Sequence, residues 1–380
     1  EYDVLLEPGI NPDQIALSFE GAESVDLDAS GALVISTAAG QMRQAAPVSW
    51  QIAEDGQHIG VESRFVEKAD GSFGFELGEL DDALATVIDP LLLWATYLGG
   101  SSCERVQGIA LDEDLYVYGT GMSMSSDIPT TAGAFDVTDN SRDEGVAFKL
   151  SPDGSTLLWC TYFGGADQDH PEGLALAGGQ LDQTTSSLVE RSLVIVGRTS
   201  SDDFPVTAGT FQPWKGAGAD AFIMRLGPNG DALDWSTYWG DRDVDGALAV
   251  DTNNLDEIVV VGETQSVGFA TAGAFQTVKG SHKEAFVTKI AHDGSAVLWS
   301  SFLGGSDHDW AIGCDFDDVT DEVVVCGSTL SSDFPTTLGA FSGTYGGAGD
   351  AWAARITADG SSLVFSTLLP GSGIDVAKDV

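Results

Sequence analysis

The sequence predicts an all-β chain: a β-propeller of four-stranded blades, about 65 residues each, preceded by a small antiparallel β domain. Three observations predict it. The phrase Trp-x-Thr-Tyr-Leu-Gly-Gly begins at Trp94, Trp159, Trp235 and Trp299, at spacings of 65, 76 and 64 residues, and a decayed copy begins 66 residues later at Phe365. Self-similarity at a fixed period is the signature of a repeat architecture. Three further phrases keep the same step. One is Asp127–Phe135, repeated at Asp203–Phe211 and Asp333–Phe341. The second is an acid–small–aromatic run at Asp220–Leu226, Glu284–Ile290 and Asp350–Ile356, looser at Glu144–Leu150. The third is an Asp-Gly or Asn-Gly turn at Asp153, Asn229, Asp293 and Asp359. Finally, each period holds four short β-branched or aromatic runs bounded by Gly, Asp and Ser.

In chain order, residues 1–90 stand outside the repeat and read as hairpins. Their alternating runs are Ile15–Phe19, Ser24–Leu27, Leu33–Ser36, Ile59–Val66 and Phe73–Leu77, joined by turns at Asp28–Gly31, Asp55-Gly56 and Asp70-Gly71. Val87–Pro90 leads into the propeller, residues 91–380, whose units lie near 106–163, 172–239, 246–303 and 311–369. In the second unit the expected strands are Gly173–Ala177, Ser192–Arg198, Ala221–Leu226 and Ala232–Trp239. This unit is longer because a polar loop, Gly179–Ser192, is inserted between its first two strands. The gap of roughly 20 residues before the third strand carries the Phe-Pro phrase; a structureless loop of that length is unusual, so it is expected to pack on its own Phe and Pro. The Trp and Phe of the repeated phrases keep strict phase and are expected to form the core between blades.

A last strand, Leu92–Leu98, precedes the four units, and the start of a further first strand, Ile374–Val380, follows them. The chain is therefore expected to be a segment of a longer protein. It starts at Glu1 rather than Met, so the lack of a visible leader says nothing about compartment.

Composition narrows function. There are 59 acids against 16 bases, a formal charge of −43. Nucleic-acid binding needs a basic footprint and is excluded. No apolar run approaches the ~20 residues of a membrane helix. Such an acidic surface suits a saline or calcium-rich exterior. The five histidines and four cysteines show no metal-ligand spacing. Cys314 and Cys326 fall on two strands of one hairpin, either as a cross-strand disulfide or as two buried small hydrophobes; Cys103 and Cys160 have no assigned pairing.

The candidate chemistry lies in the loops after Tyr-Leu-Gly-Gly. Asp241, Asp243 and Asp245-Gly246 spell the front half of a calcium loop, in which alternate carboxylates converge on a hard cation and Gly permits the turn. The related loops carry Asp167 with Asp169 and Asp307 with Asp309. The closing Glu is missing, since position 252 is Thr, and the alternative is a solvated acidic turn. The recurrent bases Lys149, Arg225, Lys289 and Arg355 are expected to pair with acids, with Asp127, Asp203 and Asp333 as the proposed partners, because buried charges must be paired. Gly268 removes that partner for Lys289. There is no nucleophile elbow and no phosphate-cradling glycine loop.

The phrases Tyr-Leu-Gly-Gly, Gly108–Asp112, Ser331–Phe341, Asp220–Phe222 and Asp-Gly-Ser together resemble the SBBP family, bacterial β-propeller repeat proteins. The resemblance covers Leu91 through Val380. Residues 1–90, through Asn11–Gly21 and Val87–Pro90, look like the β domain that precedes such repeats. The sequence departs from the pattern at Gly268, Ala270 and Pro370. The resemblance implies a secreted or surface-exposed protein and no particular reaction. The expected function is a non-enzymatic, extracellular or cell-surface binding or adhesion module for protein, matrix or glycan. The alternatives are a structural subunit or decoration of an extracellular assembly, self-assembly included, and a polysaccharide-active enzyme using carboxylates on one propeller face.

Overall fold

The computed structural model describes residues 4–19, 21–28, 30–37, 40–53, 57–89, 96–140, 143–152, 154–179 and 190–380. Trp94, most of the expected strand Leu92–Leu98, the Asp55-Gly56 turn, Asp153 and the body of the 179–192 insertion lie outside them. The chain divides into two compact units, Glu1–Thr96 and Tyr97–Val380.

Among its described residues the first unit holds nine short strands: β1 Val4–Leu6, β2 Ser24–Leu27, β3 Leu33–Thr37, β4 Gly40–Gln44, β5 Val48–Ile52, β6 His58–Val61, β7 Ser63–Glu67, β8 Phe73–Leu77 and β9 Ala85–Asp89. They form a sheet of order β1-β9-β5-β6, the meander β2-β3-β4 and the hairpin β7-β8. Leu6, Leu33, Phe65, Phe73, Phe75 and Ile88 make its core. Two expected runs change. Ile15–Phe19 makes only a single bridge, Leu17 to Phe73. Ile59–Val66 breaks at Glu62, whose carbonyl accepts from the Gly78 amide at 2.8 Å, so β6 and β7 join different sheets.

Among its described residues the second unit is four successive antiparallel meanders, each of four strands in chain order. The first sheet is β10 Glu104–Leu111, β11 Val117–Ser123, β12 Glu144–Leu150 and β13 Leu157–Phe163. The second is β14 Asp169–Ala177, β15 Ser192–Thr199, β16 Asp220–Leu226 and β17 Leu233–Trp239. The third is β18 Asp245–Thr252, β19 Ile258–Thr264, β20 Glu284–Ile290 and β21 Val297–Leu303. The fourth is β22 Asp309–Phe316, β23 Val323–Thr329, β24 Asp350–Ile356 and β25 Leu363–Leu369. Every first strand carries a bulge against the second at the same place, as between Ala247 and Ala249. The expected strand Ile374–Val380 is not one. Its Asp375 and Ala377 amides donate to the carbonyls of Gly349, just before β24, and Gly327 of β23.

Neighbouring sheets share cores. Val194, Val196, Ile223 and Trp235 of the second sheet pack with Val250, Val260 and Phe286 of the third, and Trp299 and Leu303 of the third with Phe316, Val325 and Trp352 of the fourth. One device repeats at each junction. The tryptophan of the fourth strand slides under the glycine turn between the third and fourth strands of the next sheet. Trp159, Trp235 and Trp299 are each 5 % exposed, and their indole N–H groups donate to the carbonyls of Pro228, His292 and Ala358 at 3.0, 3.0 and 2.9 Å. The phrase Phe closes the same contact: the amides of Phe135, Phe211 and Phe275 donate to the carbonyls of Gly230, Gly294 and Gly360. These glycines have positive φ, and a Cβ on Gly294 would stand 2.6 Å from the Trp235 ring. Glycine is needed there for both conformation and space.

This predicts a paired outcome. Gly294→Ala combines a left-handed alanine with a clash, at about 2–5 kcal/mol of unfolding free energy. Gly273→Ala, with φ +91 and nothing within 4 Å, costs only about 1–2 kcal/mol. Equal losses in denaturant unfolding would contradict the tryptophan contact.

Candidate functional site

The loops after the fourth strands gather the nominated acids, and the structure separates their roles. Asp169, Asp245 and Asp309 open the first strands and are fully buried. Asp245 accepts four hydrogen bonds: from the Asp241 amide at 3.1 Å, the Ser266 hydroxyl at 2.8 Å, the Thr264 hydroxyl at 2.6 Å and the Ser266 amide at 3.4 Å. Asp309 accepts from the Gly305 amide and the Ser331 hydroxyl at 2.8 and 2.9 Å, and from Thr329. Asp169 accepts likewise from Gly165 and Ser201. Each carboxylate therefore latches the incoming loop to the second strand of its own sheet. Asp167, Asp241 and Asp243 are exposed and Asp307 is half-buried. The Asp167 and Asp307 carboxylates accept from the next backbone amide, at Gln168 and His308. Among the described residues, no three His, Cys, Asp or Glu side chains are gathered as a metal site.

Asp241 has a structural reason to be where it is. In three units the second glycine of the loop faces an aspartate of the Phe-Pro phrase: a Cβ on Gly100, Gly165 or Gly305 would stand 2.4 Å from an oxygen of Asp127, Asp203 or Asp333. The third unit exchanges the pair, with Asp241 in the loop and Gly268 opposite. A Cβ on Gly268 would lie 3.5 Å from an Asp241 oxygen. The space is filled once, from either side. Asp127 and Asp333 accept from the amide and hydroxyl of Ser101 and Ser306, and Asp203 from the Ala166 amide.

Those bonds overturn the expected partners of the strand bases, because Asp127, Asp203 and Asp333 are occupied at the loop end of the sheets. The bases sit at the other end, against the turn between first and second strands. Arg225 lies 3.3 and 3.5 Å from Asp234 and Asp256. Lys289 lies 2.7 and 2.6 Å from Glu257 and Asp321, and Arg355 is held by Asp317 and Glu322. Lys289 is thus doubly paired although Gly268 replaces its expected partner. Lys149 differs: Asp112 is 4.0 Å away, and its ammonium sits over the Tyr116 and Tyr118 rings at 4.5 and 4.6 Å.

A second set of acids escaped sequence reasoning. Glu144, Asp220, Glu284 and Asp350 begin the third strands, fully buried. Each accepts from the amide four residues earlier, Asn140, Gly216, Gly280 and Gly346. Their regular phase with the loop glycines was the available signal. Burial pushes Glu284 up to about 7 and Asp220 and Asp309 up to about 6, with Asp309 raising Glu284 and Asp245 raising Asp220 further. None of these acids lines the clefts formed by Asp112, Tyr116 and Lys149 or by Asp243, His282 and His308. The cysteines are unbridged. Cys326 stands opposite Gly313 and Cys314 opposite Val325, so their side chains leave the sheet on opposite faces.

Three comparisons add to this geometry. Residues 1–91 match the family model of a domain of unknown function, DUF7948. No curated protein matches. Among solved structures, the chain is similar to one described as the crystal structure of a nidogen/laminin complex, at 11 % identity and TM-score 0.31, covering 85 % of this chain and 92 % of that one.

Asp220, Glu284 and Asp309 set a pH dependence. Their folded-state pKa values lie above the ordinary 3.8 and 4.5, so the folded state holds more protons than the unfolded one between about pH 4 and 7. Stability falls as pH rises through that window and is regained as it drops. Glu284→Gln keeps the acceptor for the Gly280 amide and removes one titration. It is expected to flatten the decline in Tm between about pH 5 and 7; an unchanged slope would exclude Glu284 as a contributor.

Proposed function

We propose that residues 97–380 are propeller blades of the SBBP type and that the chain is a non-enzymatic, secreted or cell-surface module presenting a rigid surface to a protein, matrix or glycan. The observation that carries this reading is the thrice-repeated junction of Trp159, Trp235 and Trp299 under the next sheet's turn. It makes a body of coupled sheets that leaves its loops as the variable surface. Asp169, Asp220, Asp245, Glu284 and Asp309, whose pKa values are raised, are fully buried rather than set in a cleft as a glycoside-cleaving pair would be, which favours binding over hydrolysis. The formal charge of −43 fits a saline exterior.

The reading assigns no cofactor. A calcium ion at Asp241, Asp243 and Asp245 would compete with Thr264 and Ser266 for Asp245. The test combines retention on immobilised matrix proteins and polysaccharides, reducing-end release, and a thermal melt in calcium or chelator at fixed ionic strength. Saturable retention, no released sugar ends and an unmoved Tm are expected. Release of reducing ends would replace the reading with the enzymatic one. A Tm raised by calcium would restore the Asp241–Asp245 loop as an ion site, because binding to the native state stabilises it.

A further inference from the structure

We propose that the cleft at the loop end of the junction between the third and fourth repeat sheets binds the carboxylate of an acidic sugar, a uronate residue; the inference rests on the binding-module reading and names a ligand for one place on the surface. The starting observation is a set of side chains that the second junction lacks. His282 and Lys283 end the segment before β20, and His308 and Trp310 flank the buried Asp309 at the start of β22. At the second junction the same positions hold Gly218, Ala219, Val244 and Gly246. The His308 ring lies 5.0 Å from the His282 ring and stacks on Trp310 at 5.7 Å and 17°. The polar groups are held in place by bonds of their own. His282 donates through Nδ1 to the Ser306 carbonyl at 3.1 Å. The Lys279 ammonium donates to the carbonyls of Gly280, at 3.1 Å, and His282. Lys283 pairs with Glu263 at 2.7 Å. Residues 243–310, which supply all of these groups, are described throughout, and the cleft lies at the end of the sheets opposite Gly179 and Ser192.

The cleft has a volume of about 320 Å³, at the small end of the range of ligand sites. Its charge opposes that of the chain. Lys279, Lys283, His282 and His308 stand against one acid, Asp243, among the described lining residues, in a protein of formal charge −43. Glu263 neutralises Lys283. Lys279 makes no ion pair among the described residues. It acts on the buried Glu284, but burial pushes that carboxyl up to about 7, so near neutral pH Glu284 offsets the ammonium only in part. Two of the three Lys279 N–H groups are used on backbone carbonyls and one is spare. A spare ammonium N–H in a donor-rich cleft suits an anionic acceptor. The surrounding groups suit hydroxyls. With Nδ1 donating to Ser306, neutral His282 presents Nε2 as an acceptor, Asp243 accepts, and Ser281 and Gln265 both donate and accept. A uronate carries both one carboxylate and several hydroxyls. The distant negative charge of the chain is screened beyond about 8 Å at physiological ionic strength, so these near groups decide.

The experiment titrates the 380-residue chain with trigalacturonate, its methyl ester and galactotriose by calorimetry, at about 0.15 M NaCl. Trigalacturonate is expected to bind about tenfold or more tightly than either neutral sugar. Lys279→Gln keeps a donor for the Gly280 carbonyl and removes the charge; it is expected to weaken trigalacturonate about tenfold and leave the neutral sugars unchanged. His282→Ala is expected to weaken it as well. Lys215→Gln, at the corresponding position of the second unit, is expected to change nothing. Thermal melts check that the variants stay folded. Equal affinity for the acid and its ester overturns the ligand class. Uronate binding that survives both Lys279→Gln and His282→Ala places the sugar elsewhere and overturns the cleft. Absence of uronate binding overturns this inference, while retention of the chain on other glycans or on matrix proteins leaves the module reading intact. Retention on nothing fails that reading as well.

Discussion

The contact on which the second unit depends is the indole of one sheet seated in the glycine turn of the next. A four-stranded meander has two faces and two edges, and its stability depends on covering its apolar faces. Seating Trp159, Trp235 or Trp299 converts an exposed sheet face into a core, and the indole bond to a turn carbonyl fixes how far one sheet advances along the next. Two residues further along the same turn, the glycine carbonyl receives the phrase-Phe amide, so the long segment before the third strand is drawn into the contact. Removing a buried tryptophan costs about 3–5 kcal/mol, a large share of the stability of any domain.

The acids follow from this arrangement. Close approach of successive sheets buries the loop between them, and a buried loop leaves amides that need acceptors. Asp169, Asp245 and Asp309 on one side and Glu144, Asp220, Glu284 and Asp350 on the other supply them. Part of the high acid content of the repeats is therefore internal carpentry rather than surface charge. Burial raises the pKa values of Asp220 and Glu284, and the neighbouring Asp245 and Asp309 of the other row raise them further.

Much of the second unit was legible in the sequence because its repeats act as an alignment of the chain with itself. Strand positions in the second unit, the phase of Trp and Phe, and the hairpin turns followed from period and residue type. The partners of Arg225, Lys289 and Arg355 did not. Phase places Asp203 and Arg225 in the same repeat, but strand direction puts them at opposite ends of the sheet. Asp241 reads as part of a calcium loop when its own loop is considered alone; its exchange with Gly268 emerges only when two distant segments are seen to share one space. In the first unit no repeat was present to compare, and Ile59–Val66 alternates well enough to hide the break at Glu62 between two sheets.

The central claim is that tryptophan and glycine turn act as one contact, and a double-mutant cycle at Trp299 and Gly360 tests it most directly. A Cβ on Gly360, at φ +69, would stand 2.3 Å from the Trp299 ring. The account predicts that Gly360→Ala is costly in the native background and costs only the left-handed alanine, about 1–2 kcal/mol, once Trp299 is alanine. Equal costs in the two backgrounds would mean that the sheets are held together by something other than this contact.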